Sequence, residues 1–105
     1  MNRPIIYWNN KQMELDSILE IGEGWKPLVY KLYDNLILEG WDRELHQVKE
    51  KFGGLRFYIG NTSDKIKELI QQAEEESFTI CEYCGEPGEL NGKGWIKTTC
   101  DKHRG

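Results

Sequence analysis

Cys81-Glu82-Tyr83-Cys84-Gly85 and Cys100-Asp101-Lys102-His103 form a C-x-x-C pair and a C-x-x-H pair on either side of a turn-rich linker. Each pair puts two soft donors on one turn, the ligand spacing of a zinc site. Gly85, directly after Cys84, gives that turn the conformational freedom to wrap an ion. The chain has 3 cysteines, an odd number that disulfides explain poorly, and the two pairs use all of them. A redox C-x-x-C is the rival reading. Thioredoxin-type motifs open a helix after a strand, however, whereas Gly85-Glu86-Pro87-Gly88 breaks a helix at once. Four protein ligands close a tetrahedron and leave no position for water, so the expected cofactor is structural zinc on Cys81, Cys84, Cys100 and His103.

A second set of residues suits phosphates and flat rings. Gln47-Val48-Lys49-Glu50-Lys51-Phe52, Gly53-Gly54 and Leu55-Arg56-Phe57-Tyr58-Ile59 read as two strands joined by a tight turn at the glycine pair. That register sets Lys51 opposite Arg56 and Lys49 opposite Tyr58 on one face, with Glu50 opposite Phe57 on the apolar face. Two cations directly across a ladder repel unless an anion sits between or above them. Trp95 and Lys97 add a stacking ring and another cation, so the set fits a phosphate-bearing ligand with a planar base. The alternative is a solvated cationic strand face with Trp95 packed in the core. Glu50 is the one acid that alternation puts on an apolar face, as a working acid or as the ion-pair partner of a lysine.

No nucleophile lies beside a base. The chain has 2 histidines; His103 belongs to the metal set and His46 has no Ser or Cys motif nearby. Gly53-Gly54 and Gly22-Glu23-Gly24 do not match a phosphate-cradling loop. The protein is expected to be non-enzymatic.

The elements that must position these groups follow from periodicity. Leu28, Val29, Leu32, Tyr33 and Leu36 recur at helical spacing between Trp25 and Glu39, with Pro27 in the first turn and Gly40 at the end. Ile66, Leu69, Ile70 and Ala73 stripe a second helix over 64–76, capped by Ser63. Its closing Glu74-Glu75-Glu76 opposes the helix dipole and is expected to be a solvated face. Pro4-Ile5-Ile6-Tyr7-Trp8 reads as a short strand before an Asn9-Asn10 turn. Leu15 to Ile21 fits helix or strand equally, and Trp95 to Thr99 reads as a strand after an Asn91-Gly92-Lys93-Gly94 turn. The expected architecture is one α+β domain of 105 residues, with an α+β core over 1–76 and a zinc-ribbon subdomain over 77–105.

The net charge of −4 and a sequence pI near 5.2 argue against coating nucleic acid, leaving only the local basic tail of Lys93, Lys97, Lys102 and Arg104 for that role. No membrane-length apolar run and no secretory signal stand in the sequence, so the expected location is cytoplasmic.

The string from Gln47 to Tyr58, with Gly24-Trp25 before it and Cys81 to Gly88, Gly94-Trp95 and Thr99 to His103 after it, resembles a family of small zinc-ribbon proteins of bacteria and their phages. The likeness spans about 22–103. It implies a zinc-binding α+β domain and, through phage membership, a role in phage–host conflict, but no activity. Its most recognisable strings contain Lys49, Glu50, Lys51, Arg56, Tyr58, Trp25 and Trp95, which makes these the ligand-binding candidates beside Lys97. The expected partner is a nucleotide-like small molecule held by sequestration; the alternative is a host or phage protein.

Overall fold

Two adjacent left-handed residues, Asn9 at φ 48° and Asn10 at φ 64°, turn strand β1 (Ile5–Trp8) back into β2 (Lys11–Glu14) in the computed structural model, which describes residues 4–104. Asparagine tolerates this region, and a paired left-handed turn matches the twist of a hairpin. The stretch that fits helix or strand equally is both in succession: a 3₁₀ turn over Leu15–Ile18, then β3 over Leu19–Glu20.

Helix α1 (Lys26–Leu38) buries Leu28, Val29, Leu32, Tyr33 and Leu36, as the spacing predicts, and Gly40 at φ 85° ends it. The Tyr33 hydroxyl donates to the Ile5 carbonyl at 2.7 Å and anchors the helix to β1. Strand β4 (Gln47–Lys51) returns parallel to β3, so α1 is the crossover that a parallel pair needs, and β5 (Gly54–Tyr58) pairs antiparallel to β4.

The β4–β5 turn differs from the sequence expectation. Its two central residues are Phe52 (φ 53°) and Gly53 (φ 84°), not Gly53 and Gly54. The register moves by two positions: Lys49 faces Arg56, Glu50 faces Leu55, and Lys51 faces Gly54. An even shift keeps every side chain on its expected face but replaces its partner. Two bonds fix Gly53 in the turn: its amide donates to Glu50 Oε2 at 2.7 Å, and its carbonyl accepts from Thr98 Oγ1 at 2.6 Å. Gly54 stays in the strand because the Phe78 ring lies where a Cβ would stand.

Helix α2 (Asp64–Ser77) begins with Ser63 Oγ accepting from the Ile66 amide at 3.3 Å. Its end corrects the solvated-face reading in part. Glu74 Oε2 accepts from the Phe57 amide at 3.0 Å and Ser77 Oγ from the Leu55 amide at 2.9 Å. Both amides lie on the outer edge of β5, which the helix thereby satisfies and blocks. The chain then forms a short antiparallel pair, β6 (Glu89–Asn91) with β7 (Lys97–Thr99), and a 3₁₀ turn over Asp101–His103. The architecture is mixed α+β. Ile6, Leu15, Trp25, Val29, Leu36, Leu45 and Val48 form the fully enclosed centre of the core. Among the described residues no helix is long and apolar enough to cross a membrane.

Candidate metal centre

Leaving α2, the chain turns so that the Cys81 carbonyl accepts from the Gly85 amide at 2.9 Å, and Gly85 takes φ 83°. A tight knuckle results, with Cys81 buried and Cys84 exposed. Cys100 leaves β7 into the final 3₁₀ turn, where the His103 amide donates to the Cys100 carbonyl at 3.0 Å. The ligand atoms of Cys81, Cys84, Cys100 and His103 all lie within 4.8 Å of one another. His103 Nδ1 is 3.2 Å from Cys100 Sγ and 3.7 Å from Cys81 Sγ, and Cys84 Sγ is 3.6 Å from Cys100 Sγ. Ligands at about 2.0–2.3 Å from a tetrahedral ion are separated by about 3.5–3.8 Å. Two of these separations fall in that range and the His103–Cys100 one is shorter, so the four groups are positioned to hold a metal ion with three thiolates and one imidazole.

The surroundings favour the ligating thiolate at Cys81 and Cys100 and the protonated form at Cys84 and His103. Burial pushes the Cys81 thiol up, but the Cys100, Cys84 and Tyr83 amides outweigh it and bring the thiol down to about 6. The His103 ring lowers Cys100, and Cys100 in turn raises His103. At Cys84 the lowering by the Glu86 amide is outweighed by desolvation and the neighbouring sulfurs, and the thiol is raised. Three thiols this close resist ionising together, which a cation among them relieves. The Tyr83 ring lies 5.6 Å from that of His103, packed beside it.

The knuckle is docked to the core by residues that ligand spacing alone does not reveal. The Gly24 amide donates to the Glu82 carbonyl at 2.7 Å, and the Gly22 amide donates to Glu82 Oε2 at 3.0 Å. A Cβ on Gly24 would run into the Cys81 carbonyl and the Gly85 amide. Gly22-Glu23-Gly24 is thus a backbone-to-backbone seat for the metal knuckle. Two glycines one residue apart before a tryptophan were the available signal for such an approach.

Lys97 Nζ completes the seam, 3.0 Å from Glu50 Oε1 and 3.5 Å from Glu82 Oε1. Glu50 is therefore an ion-pair partner, and its second oxygen holds the turn.

The proposed ligand-binding set does not converge on one place. Trp25 is 0% exposed, with its indole Nε1 donating to the Ile80 carbonyl at 2.8 Å, so it is a core residue and offers no ring to a ligand. Trp95 is the reverse: 75% exposed rather than packed in the core. Lys97 sits 5.9 Å from the Trp95 ring centroid, but on the Glu50 side of the hairpin. Lys49, Lys51, Arg56 and Tyr58 occupy the opposite face, where Lys49 lies between Arg56 and Glu20 in register. Among the described residues Lys49, Lys51 and Arg56 have no ion-pair partner, and Arg56 Nε is buried without an acceptor. His46, just before β4, is half exposed beside Glu44 at 3.4 Å.

No family model, curated protein or solved structure matches the chain.

Proposed function

We propose that the protein is a non-enzymatic binding module in which structural zinc on Cys81, Cys84, Cys100 and His103 holds a ribbon-like C-terminal segment against an α+β core. The surface made by that docking grips another protein. The observation behind this reading is the apolar surface round the β4–β5 turn. Phe52 is 68% exposed at the turn and Trp95 75%, while Leu90 and Ile96, both partly exposed, pack over Gly53. Exposed aromatic and aliphatic side chains gathered in one region mark interaction surfaces, and a central aromatic commonly carries most of the affinity. Lys51 and Lys93 lie at the exposed ends of the two turns concerned, which suits a partner with an apolar pocket rimmed by acids.

Pull-down with the tagged full chain and with Phe52→Ala/Trp95→Ala tests it. The expected result is a stoichiometric partner recovered by the first and lost with the second; equal recovery, or no partner, contradicts it. For a member of the bacterial and phage family that the sequence resembles, the partner would be a host or phage protein.

A second reading rests on Arg56. Its buried, unpaired Nε beside Lys49 suits a small phosphate-bearing or nucleotide ligand captured on the hairpin's cationic face, a route to counter-defence by sequestration. Nucleotide-induced thermal shifts that vanish in Arg56→Ala would favour it over the protein-partner reading.

A further inference from the structure

Cys84 Sγ lies 3.6 Å from Cys100 Sγ, and the two sulfurs come from opposite halves of the candidate metal centre, 16 residues apart. Access sets Cys84 apart from the other sulfurs. It is exposed, whereas Cys100 is half-buried and Cys81 is 0% exposed. A thiol that ligates a cation is ionised, so in a loaded site access decides where oxidation begins, and a small oxidant from solvent meets Cys84 first.

The backbone ranks the sulfurs that could answer it. Cys81 is held on both sides: its amide donates to the Glu86 carbonyl at 2.8 Å, its carbonyl accepts from the Gly85 amide at 2.9 Å, and the Gly24 backbone packs on that carbonyl. Cys100 stands instead at the start of the closing 3₁₀ turn, Asp101–His103, whose residues are all exposed. Bringing Cys84 and Cys100 from 3.6 Å to the roughly 2.05 Å of a disulfide takes a movement of about 1.5 Å at this open end of the site.

With a peroxide as oxidant the step balances. The Cys84 thiolate attacks the O–O bond and takes one oxygen as a sulfenic acid, while the other leaves as hydroxide and takes a proton from solvent to become water. The Cys100 thiolate then attacks the Cys84 sulfur, the S–S bond forms, the S–O bond breaks, and a second hydroxide leaves to be protonated. The two sulfurs together lose two electrons and the peroxide is reduced to two waters. Only a thiolate is a good metal ligand, so Cys81 and His103 are then left as two donors where a closed tetrahedral site needs four. The new bond joins the knuckle to the end of β7, the same two segments that the metal holds together.

We infer that the centre is a peroxide-sensitive switch: oxidation joins Cys84 to Cys100, expels the metal and leaves the C-terminal segment stapled by the disulfide. This rests on the metal reading proposed above.

The test is treatment of the zinc-loaded full chain, purified under reducing conditions, with hydrogen peroxide. Released zinc is followed with a chromogenic chelator, and the bridge is located by peptide mass mapping without reduction. The expected result is about one zinc ion released per disulfide, a bridge at Cys84–Cys100, recovery with dithiothreitol and zinc, and amide protection in β7 that survives oxidation. Cys84→His, which keeps a metal donor at the exposed corner, should release zinc at least about tenfold more slowly; the mapping needs no variant and stands if Cys84→His does not fold. A bridge at Cys81–Cys84, zinc retained under peroxide, release without a disulfide, lost β7 protection or wild-type release in Cys84→His overturns the inference and leaves the metal reading intact. A reduced chain that carries no metal overturns both.

Discussion

Lys97 Nζ meets Glu50 Oε1 at 3.0 Å although 47 residues separate them. The pair joins the hairpin to the segment that carries the candidate metal ligands, and Glu82, from inside the C-x-x-C knuckle, lies 3.5 Å from the same ammonium. One partly buried cation thus serves two acids that the fold brings within reach of each other.

Removing that cation should be costly. Lys97→Met leaves Glu50 and Glu82 facing each other in a seam that is largely closed to water, and urea unfolding should show a loss of about 1–3 kcal/mol. Glu50→Gln, which keeps an acceptor for the Gly53 amide, should cost less. Wild-type stability in Lys97→Met would contradict the role given to the seam.

The same pair sets a pH dependence. Burial lowers the Lys97 pKa, but its hydrogen bond to Glu50 and the charge of Glu82 outweigh this and raise it above its ordinary 10.5. A base whose pKa is raised on folding contributes its stability in full below the unfolded value and loses it as pH climbs through the folded one. The stability difference between wild type and Lys97→Met should therefore stay level from about pH 7 to 10 and shrink above that range. A difference that shrinks well below pH 10 would contradict the assignment.

The docking of the knuckle can be tested at one glycine. Gly24→Ala forces a methyl group into the Cys81 carbonyl and the Gly85 amide, so it should weaken metal retention in a chelator competition and cost several kcal/mol in unfolding. Gly60→Ala meets only the edge of the His46 ring, at 3.7 Å, and should stay within about 1 kcal/mol of wild type. Equal behaviour of the two variants would sink the proposed seat.

Metal removal should act on the C-terminal segment first. Strands β6 and β7 have 3 residues each and little apolar area of their own, whereas a structural zinc site supplies on the order of 10 kcal/mol of folding free energy. Chelation should abolish amide protection over 81–103 while α1 keeps its own. Unchanged protection throughout would contradict a structural metal.

How far the sequence spoke depended on whether a feature was local. Ligand spacing located the four Cys and His groups that could hold a metal ion, and apolar periodicity with Pro27, Gly40 and Ser63 located both helices. Two identical dipeptides show the limit. Gly24-Trp25 and Gly94-Trp95 read alike in sequence, yet Trp25 is enclosed and Trp95 stands in solvent, because only the first pair lies under the knuckle. The hairpin turn failed for a related reason: a Gly-Gly pair is the local favourite, but the bonds from Glu50 and Thr98 to Gly53, and the Phe78 ring against Gly54, move the turn onto Phe52. Glu82 was hidden because the spacing rule weighs only the ends of C-x-x-C.

We propose a closed metal site of three thiolates and one imidazole that staples the fold. X-ray absorption at the zinc edge of the purified full chain tests it most directly. The expected result is one zinc ion per chain, with three sulfur neighbours at about 2.3 Å and one nitrogen at about 2.0 Å. An oxygen neighbour in place of any of the four, or a chain that folds with no metal at all, would contradict it.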